Sequence, residues 1–372
     1  MPEREKLFLI DGTAIIYRAH FAFIRNPLIN SKGEHTSALF GTINSFLKLV
    51  DDFSPKHLFI TFDRKEPTFR KKISEEYKAT RPPMPGELVS QLKPIYEFFD
   101  EIGIVNCSKA GFEADDVIST LATIYQDRYE IVIVTGDKDF AQIVNDNIKL
   151  YDPFKAKMTD ADAVLEKFGV APEKFLDFLA LMGDSADNIP GVKGIGKKGA
   201  ATLLNQFGSL DEIYSHIGEI SSKSIKSKLT ENKKNAYLSR KLAEIITDVE
   251  LEIASEETFA FHPETMHNGL VLLDEYELPS LWKKIISMNV EIDFDFSDKS
   301  PYNKESTYYK AITIDNETTF NELLIKLREH KIVAIDTETD NINSLVANLV
   351  GISLCFNEQE AYYLPLRHRM YD

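Results

Sequence analysis

Apolar and polar positions along the chain fall into two regimes. In the first 136 residues, four short apolar runs read as strands: LFLI (7–10), HLFITF (57–62), IGIVNC (102–107) and EIVIVTG (130–136). Between them lie stretches of helical period, one with Leu88, Leu92, Ile95 and Phe99, another with Val117, Ile118, Leu121 and Tyr125. Strands that alternate with helices predict a parallel sheet covered on both faces. Beyond about residue 160 the pattern is helical. Phe175, Phe178, Leu179 and Met182 share a helix face behind Pro172, and GAATLLNQFGSLDEIY reads as two short helices broken at Gly208. Residues 290–307 lose periodicity and gain Asp, Ser and Pro, so they read as a linker. A fresh unit then opens with a helix on Phe320, Leu323, Leu324 and Leu327 and a strand in KIVAIDTETD. The expected organisation is a large α/β unit over 1–289, the linker, and a smaller unit over 308–372.

Composition narrows the class. The chain has 372 residues, 43% hydrophobic and 27% charged, as expected of a globular protein of about two domains. It contains no apolar run of about 18 residues, so no membrane span is expected. MPEREKLFLIDG lacks the apolar core and cleavage site of a signal peptide. Cys107 and Cys355 stand far apart, which suggests neither a disulfide framework nor a zinc site and fits a reducing cytoplasm.

A net charge of −16 argues against nucleic acid as a partner, but its distribution argues the other way. Residues 64–81 hold seven Lys/Arg against three Glu, and residues 221–241 seven against one. Such segments are either solvated helix faces or local phosphate contacts.

Three strand-like runs end in acid: LFLI at Asp11, HLFITF at Asp63, and EIVIVTG at Asp137 with Asp139 two residues on. In a parallel sheet the carboxyl ends share one edge, where ligands bind. FEADDV adds Glu113, Asp115 and Asp116, and GDSAD adds Asp184 and Asp187. Any one such Asp is often a turn former or helix cap, and Asp115 is open to that reading. Nine carboxylates in one crevice repel strongly without cations, and all-oxygen donors select Mg²⁺ or Mn²⁺ over zinc. Directly after the last two acids comes GVKGIGKKGA, whose Gly191, Gly194 and Gly196 would let a phosphate approach backbone N–H groups beside Lys193, Lys197 and Lys198. A plain helix–helix loop would look similar.

Five stretches resemble, in unbroken order, the 5′-nuclease domain of the bacterial DNA polymerase I family, within the flap-endonuclease group. They are LIDGTAIIYRAHFA, TFDRKEPTFRKKISEEYKATRPPMP, GFEADDVISTLA, VTGDKDFAQIV and LALMGDSADNIPGVKGIGKKGAATLL. KIVAIDTETDN resembles the first motif of the 3′–5′ exonuclease domain that follows in that family. The resemblance implies a PIN-like, Rossmann-like α/β core, a helix–hairpin–helix DNA-binding region over about 183–240, and a truncated start of an RNase H-like unit over 308–372.

It further implies that Asp11, Asp63, Glu113, Asp115, Asp116, Asp137, Asp139, Asp184 and Asp187 divide between two Mg²⁺ sites, with Mn²⁺ able to substitute. Lys78 and Arg81 would hold the scissile phosphate and act in catalysis with Asp116. Tyr77 would stack on a base, with an ordinary half-buried aromatic as the alternative reading. Arg18 and Arg70 would contact phosphates. The hairpin would grip duplex DNA, often through a backbone-bound K⁺. Here Lys198-Gly199-Ala200 stands where the family often reads Lys-Thr-Ala, so a hydroxyl contact is lost. Asp336 and Glu338 form a vestigial 3′–5′ exonuclease motif.

The function implied is hydrolysis of phosphodiesters near 5′ ends of duplex DNA, at flaps, nicks or RNA primers, by two metal ions. The expected setting is the bacterial cytoplasm at the nucleoid, as a monomer, with a polymerase domain in the same full-length chain and no membrane. A PIN-type endoribonuclease shares the acid-rich core but is usually much shorter. A non-catalytic DNA-junction binder would have lost acids, and none is missing.

Overall fold

A computed structural model describes residues 4–252, 256–288, 310–330, 332–339, 348–357 and 360–366. The chain divides into two compact units, Met1–Asp293 and Phe294–Asp372. The stretch read as a linker, 290–307, lies outside the described residues.

The first unit opens with β1 (Lys6–Asp11), α1 (Gly12–Ala22), α2 (Ser37–Phe53), β2 (His57–Thr61), α3 (Phe69–Ile73), α4 (Gly86–Glu101), α5 (Ala114–Tyr125), β3 (Glu130–Val134), β4 (Ile148–Asp152) and β5 (Lys157–Thr159). Helices follow: α6 (Ala161–Phe168), α7 (Phe175–Met182), α8 (Lys197–Phe207), α9 (Leu210–Ser215), α10 (Lys223–Glu231), α11 (Lys233–Ala243), α12 (Leu270–Glu275) and α13 (Pro279–Ser287). The sheet order is β2-β1-β3-β4-β5, parallel except for β5.

Strand side chains alternate between faces, and here both faces are covered. Leu7, Leu9, Phe59, Ile131 and Ile133 belong to an apolar layer with residues of α5, α7 and α8. Phe8, Ile10, Leu58, Ile60, Val132 and Val134 belong to a second layer with α2, α4 and α13. Each buried large aliphatic or aromatic side chain contributes about 1.5–3 kcal/mol, so the near-continuous apolar runs hold the strands rigidly at the sheet centre.

The run 102–107 is not a strand. Helix α4 continues to Glu101, Ile102 caps it, and Gly103 turns the chain at a φ of 74°. Only a bridge between Ile60 and Asn106 remains. Conversely β4 and β5, too short and mixed to stand out, extend the sheet. Gly208 caps α8 at a φ of 98° and separates it from α9 as expected.

The second unit contains β6 (Lys310–Thr313), α14 (Glu317–Glu329), β7 (Ala334–Thr339), β8 (Leu349–Asn357) and β9 (Glu360–Pro365). Its sheet runs β6-β9-β8-β7, with β6 and β9 parallel and the other pairs antiparallel. Ile314, Leu323, Leu354 and Tyr362 form its small core.

Candidate active site

Three adjacent parallel strands deliver acids side by side to one edge. Asp11 is the last residue of β1, Asp63 lies just past β2, and Asp137 just past β3, on either side of β1. Asp11 does cap a helix: its Oδ1 accepts the Ala14 N–H at 3.0 Å. Its Oδ2 accepts from Thr135 Oγ1 at 2.8 Å, and the same hydroxyl accepts the Asp137 N–H at 3.0 Å. The Asp63 N–H donates to Thr13 Oγ1, and Asp63 Oδ1 accepts the Ala114 N–H at 2.8 Å, joining β2 to the start of α5. Asp137 Oδ1 accepts the Asp139 N–H at 2.9 Å.

The start of α5 separates two neighbouring acids. Glu113 and Asp116 form a reciprocal capping box. Asp116 is fully buried, and both its oxygens are taken. Arg70 donates to Oδ1 and Oδ2 at 2.8 and 2.7 Å, while the Glu113 and Ile246 N–H groups donate to the same carboxylate. Asp116 is therefore a structural anchor and not an available metal ligand or catalytic group. Arg70, 1% exposed, also donates to the Leu242 and Glu244 carbonyls, which removes it from the expected phosphate contacts. Asp115, one residue earlier and about 100° around the helix, is only partly buried. Burial and the adjacent Asp116 hold its carboxyl well above the usual range.

Residues 74–81 fold as turns over this edge. Tyr77 is 3% exposed, and its hydroxyl donates to Glu113 Oε2 at 3.0 Å, so its ring is core and not a free stacking platform. Burial and these carboxylates push its phenol far up. Lys78 has a φ of 54°, a strained conformation for a non-glycine residue. Its N–H donates to the Asp187 carbonyl at 2.9 Å, and its Nζ lies 2.9 Å from Glu113 Oε2 and 4.0 Å from Asp187 Oδ2. Arg81 pairs with Asp187, and Asn188 donates to the Glu76 carbonyl at 2.7 Å. The loop after α7 thus clasps the 74–81 segment. Arg18, half-buried, pairs with Asp152 at 2.8 Å beside Gly136.

The glycine-rich hairpin is anchored by two buried apolar residues, Val192 and Ile195, and exposes Lys193, Gly194, Gly196, Lys197 and Lys198. Gly183 and Gly191 have φ of 74° and 61° and cross backbone to backbone. A Cβ on Gly191 would stand 2.5 Å from the Gly183 nitrogen. The Gly191 N–H donates to Ser239 Oγ at 2.9 Å, tying the hairpin to α11. Gly196 caps α8, and Lys197 and Lys198 open that helix. Lys228, in the basic stretch 221–241 but not singled out in it, donates to the Gly194 carbonyl at 3.1 Å.

Electrostatics unites the acids. Burial, Asp63 and Asp137 push Asp11 up to about 7. Burial also raises Asp63, against the pull of Lys78. Burial and Asp137 raise Asp139. Burial opposes ionisation of Glu113 and Asp184, but Lys78 and Arg70 outweigh it at the first, and Lys138 at the second, so both lie below their usual range. Among the described residues no three of these carboxylates stand close enough to share one ion as placed. Ammonium and guanidinium groups lie between them. The donors nonetheless fit hard divalent cations: all are oxygens, and the raised acids are ones whose charge is poorly compensated by the protein alone. Lys138, between Asp137 and Asp139, was overlooked in the sequence, where a lysine flanked by two strand-end acids is its only signal.

Asp336 and Glu338, two apart, share one face of β7, whose residues are exposed. No helix among the described residues is long and apolar enough to cross a membrane.

Residues 6–169 match the 5′-3′ exonuclease N-terminal resolvase-like domain, residues 170–266 the 5′-3′ exonuclease C-terminal SAM fold, and residues 311–372 a 3′-5′ exonuclease family. The chain is 38% identical over 371 residues to DNA polymerase I of Pseudomonas aeruginosa, covering 97% of this chain and 40% of that protein. It is 38% identical over 264 residues to a 5′-3′ exonuclease of Buchnera aphidicola, covering 68% of this chain and 91% of that protein. The chain thus spans 40% of the length of the polymerase relative and nearly all of the exonuclease relative. The bacteriophage T5 D15 flap endonuclease, solved with DNA and metal ions, shares the fold at a TM-score of 0.54 and 21% identity, over 76% of this chain and 99% of that one.

Proposed function

The chain belongs to the 5′-3′ exonuclease family, and on that premise we propose that it is a structure-specific nuclease acting near 5′ ends of duplex DNA, at flaps, nicks and RNA primers. The carrying observation is the convergence of Asp11, Asp63 and Asp137 on one sheet edge, under a segment that supplies Lys78 and Arg81 and is clasped by Asp187.

In this reading Asp11, Asp63, Glu113 and Asp115 hold one Mg²⁺, and Asp137, Asp139, Asp184 and Asp187 a second, with Mn²⁺ able to replace either. Bound divalent cations supply charge neutralisation at the phosphate and a more acidic water. Lys78 and Arg81 exchange Glu113 and Asp187 for the scissile phosphate and stabilise the negative charge that grows on it. Arg18 contacts a further phosphate. The exposed hairpin N–H groups and Lys193, Lys197 and Lys198 hold the duplex backbone without reading sequence. K⁺ belongs to the same proposal, at hairpin carbonyls other than that of Gly194, which already accepts from Lys228. We also propose 1–289 as the nuclease unit and 308–372 as part of a 3′–5′ exonuclease domain. The proposed setting is a monomeric bacterial cytoplasmic protein, with a polymerase domain in the full-length chain.

The test compares a 5′-flap duplex with single-stranded RNA of matched sequence, in Mg²⁺, Mn²⁺ and EDTA. Metal-dependent cutting of the flap alone is expected, with Asp184→Ala reducing turnover by about 10³-fold or more, as for loss of a transition-state contact, while duplex binding persists. Preferred cleavage of the RNA, or equal turnover by the variant, overturns the reading.

A further inference from the structure

Lys138 occupies an unusual place. It sits between two acids just past β3, yet its ammonium also reaches a third acid on a distant part of the chain. Nζ lies 3.1 Å from Asp139 Oδ1 and is hydrogen-bonded to Asp184 in the loop after α7. The lysine therefore bridges two chain segments that meet only in the fold. Its side chain is about one-third exposed, so a route outward exists. Lys78 makes a similar bridge at Glu113, but its strained backbone is pinned to Asp187, and its side chain is more enclosed.

We infer that Lys138 is a resident counter-ion of the Asp139–Asp184 half of the crevice, and that a divalent cation must displace it before those oxygens can hold metal. The inference rests on the proposed division of the acids between two metal positions. One ammonium contributes one positive charge and up to three N–H donors to oxygens that a hard divalent cation would coordinate directly. Both cannot use the same carboxylate oxygens, because two positive centres at that spacing repel strongly in a partly dry site. Lys138 thereby keeps the acids from repelling one another when metal is scarce, and it weakens the second metal position relative to the first. The released ammonium, on a four-carbon stem at the crevice rim, is then free to meet an incoming phosphate.

The test uses the whole chain without DNA. Mn²⁺ binding is followed by electron paramagnetic resonance of the free ion in wild type, Lys138→Met, Lys138→Arg, Asp184→Ala and Lys149→Met. Lys149 pairs with Glu130 and serves as the control for net charge. Lys138→Met is expected to bind the weaker Mn²⁺ about fivefold more tightly, the equivalent of an ion pair of roughly 1 kcal/mol. Lys138→Arg and Lys149→Met should match wild type, and Asp184→Ala should lose the weaker site. In a second readout, lysines are reductively methylated with ¹³C. The Lys138 signal, identified by its absence in Lys138→Arg, should shift as Mg²⁺ is added. Unchanged or weaker Mn²⁺ binding in Lys138→Met would make Lys138 a scaffold and overturn the inference, leaving the metal reading intact. A weaker site that survives Asp184→Ala, or no Mn²⁺ binding in wild type, overturns the metal reading and the inference with it.

Discussion

Both units of this chain place carboxylates on strands, and only one converts them into a crevice. In the first sheet, β2, β1 and β3 are parallel neighbours buried on both faces, so Asp63, Asp11 and Asp137 arrive together at one edge. In the second, β7 is an edge strand paired antiparallel to β8. Opposite Asp336 and Glu338 stand Ser353 and Gly351, which offer no further carboxylate. The first group shifts its acids' protonation and traps lysines among them. The second sits on a strand exposed at every position. An acid motif becomes a site when topology stacks motifs from separate strands and packing excludes the water that would screen them.

The comparison is broken most severely by cutting the anchor beneath the first crevice. Asp116→Ala leaves the buried Arg70 guanidinium with only the longer contact to Glu113, at 3.5 Å, and should cost about 3 kcal/mol. Urea unfolding followed by Trp282, the only tryptophan, reads this directly. Activity should fall because the edge loosens, whereas Asp184→Ala should lose activity at wild-type stability. Equal stability losses in the two variants would erase the distinction drawn between anchoring and metal-holding acids.

Next in size is the burden carried by Asp11. Its folded carboxyl is raised to about 7, so its contribution to stability is present below the unfolded value near 4 and is lost as pH rises through 7. In EDTA, Asp11→Asn should therefore match wild type at pH 4 and exceed it at pH 8 by up to roughly 4 kcal/mol. It keeps a side-chain oxygen for the Ala14 cap while removing the charge that a metal would need. A variant no more stable than wild type at pH 8 would show that the crevice carries no such strain.

Smaller effects belong to the hairpin. Lys197→Ala should weaken duplex binding severalfold and lower the slope of log affinity against log salt by about 0.9, the loss of one phosphate contact. An unchanged slope would assign Lys197 to Phe168, over whose ring its ammonium lies at 5.3 Å. At the far end of the scale, Asp336→Ala should change stability by less than about 0.5 kcal/mol and leave 5′ cleavage unaltered. A measurable loss of 5′ cleavage would show that the second group of acids is not independent of the first.

Much of the acid edge was legible because three strand-like apolar runs in one parallel sheet end in aspartate, and parallel strands bring their carboxyl ends to one edge. The hairpin was legible as Gly191, Gly194 and Gly196 set among Lys193, Lys197 and Lys198, whereas the crossing of Gly183 and Gly191 backbones shows only in the fold. Asp115 and Asp116 were not separable in sequence, since adjacent helical positions differ by about 100° of azimuth and only the fold says which azimuth faces Arg70. The roles that the resemblance implies for Arg70 and Tyr77, a phosphate contact and a stacking ring, differ from their buried placement here, because their partners, Glu113, Asp116 and the 242–244 carbonyls, come from remote parts of the chain; the half-buried alternative kept open for Tyr77 is the one this placement matches. The run 102–107 had the composition of a strand and lost that conformation to the helix cap before it.

The Arg70 anchor also imposes an order on biosynthesis. Its guanidinium needs the carbonyl of Glu244, 174 residues downstream, and its partner Asp116 accepts the Ile246 N–H. At translation rates of about 5–20 residues per second, that stretch takes on the order of 10–35 s to emerge. During that interval the nascent chain already carries the strand-end acids Asp11 and Asp63, and gains Asp137 partway through, but has no fixed floor beneath them. The ribosome thus delivers a nuclease that stays unassembled until the helical region is made, a delay written into the chain as distance rather than as an inhibitory segment.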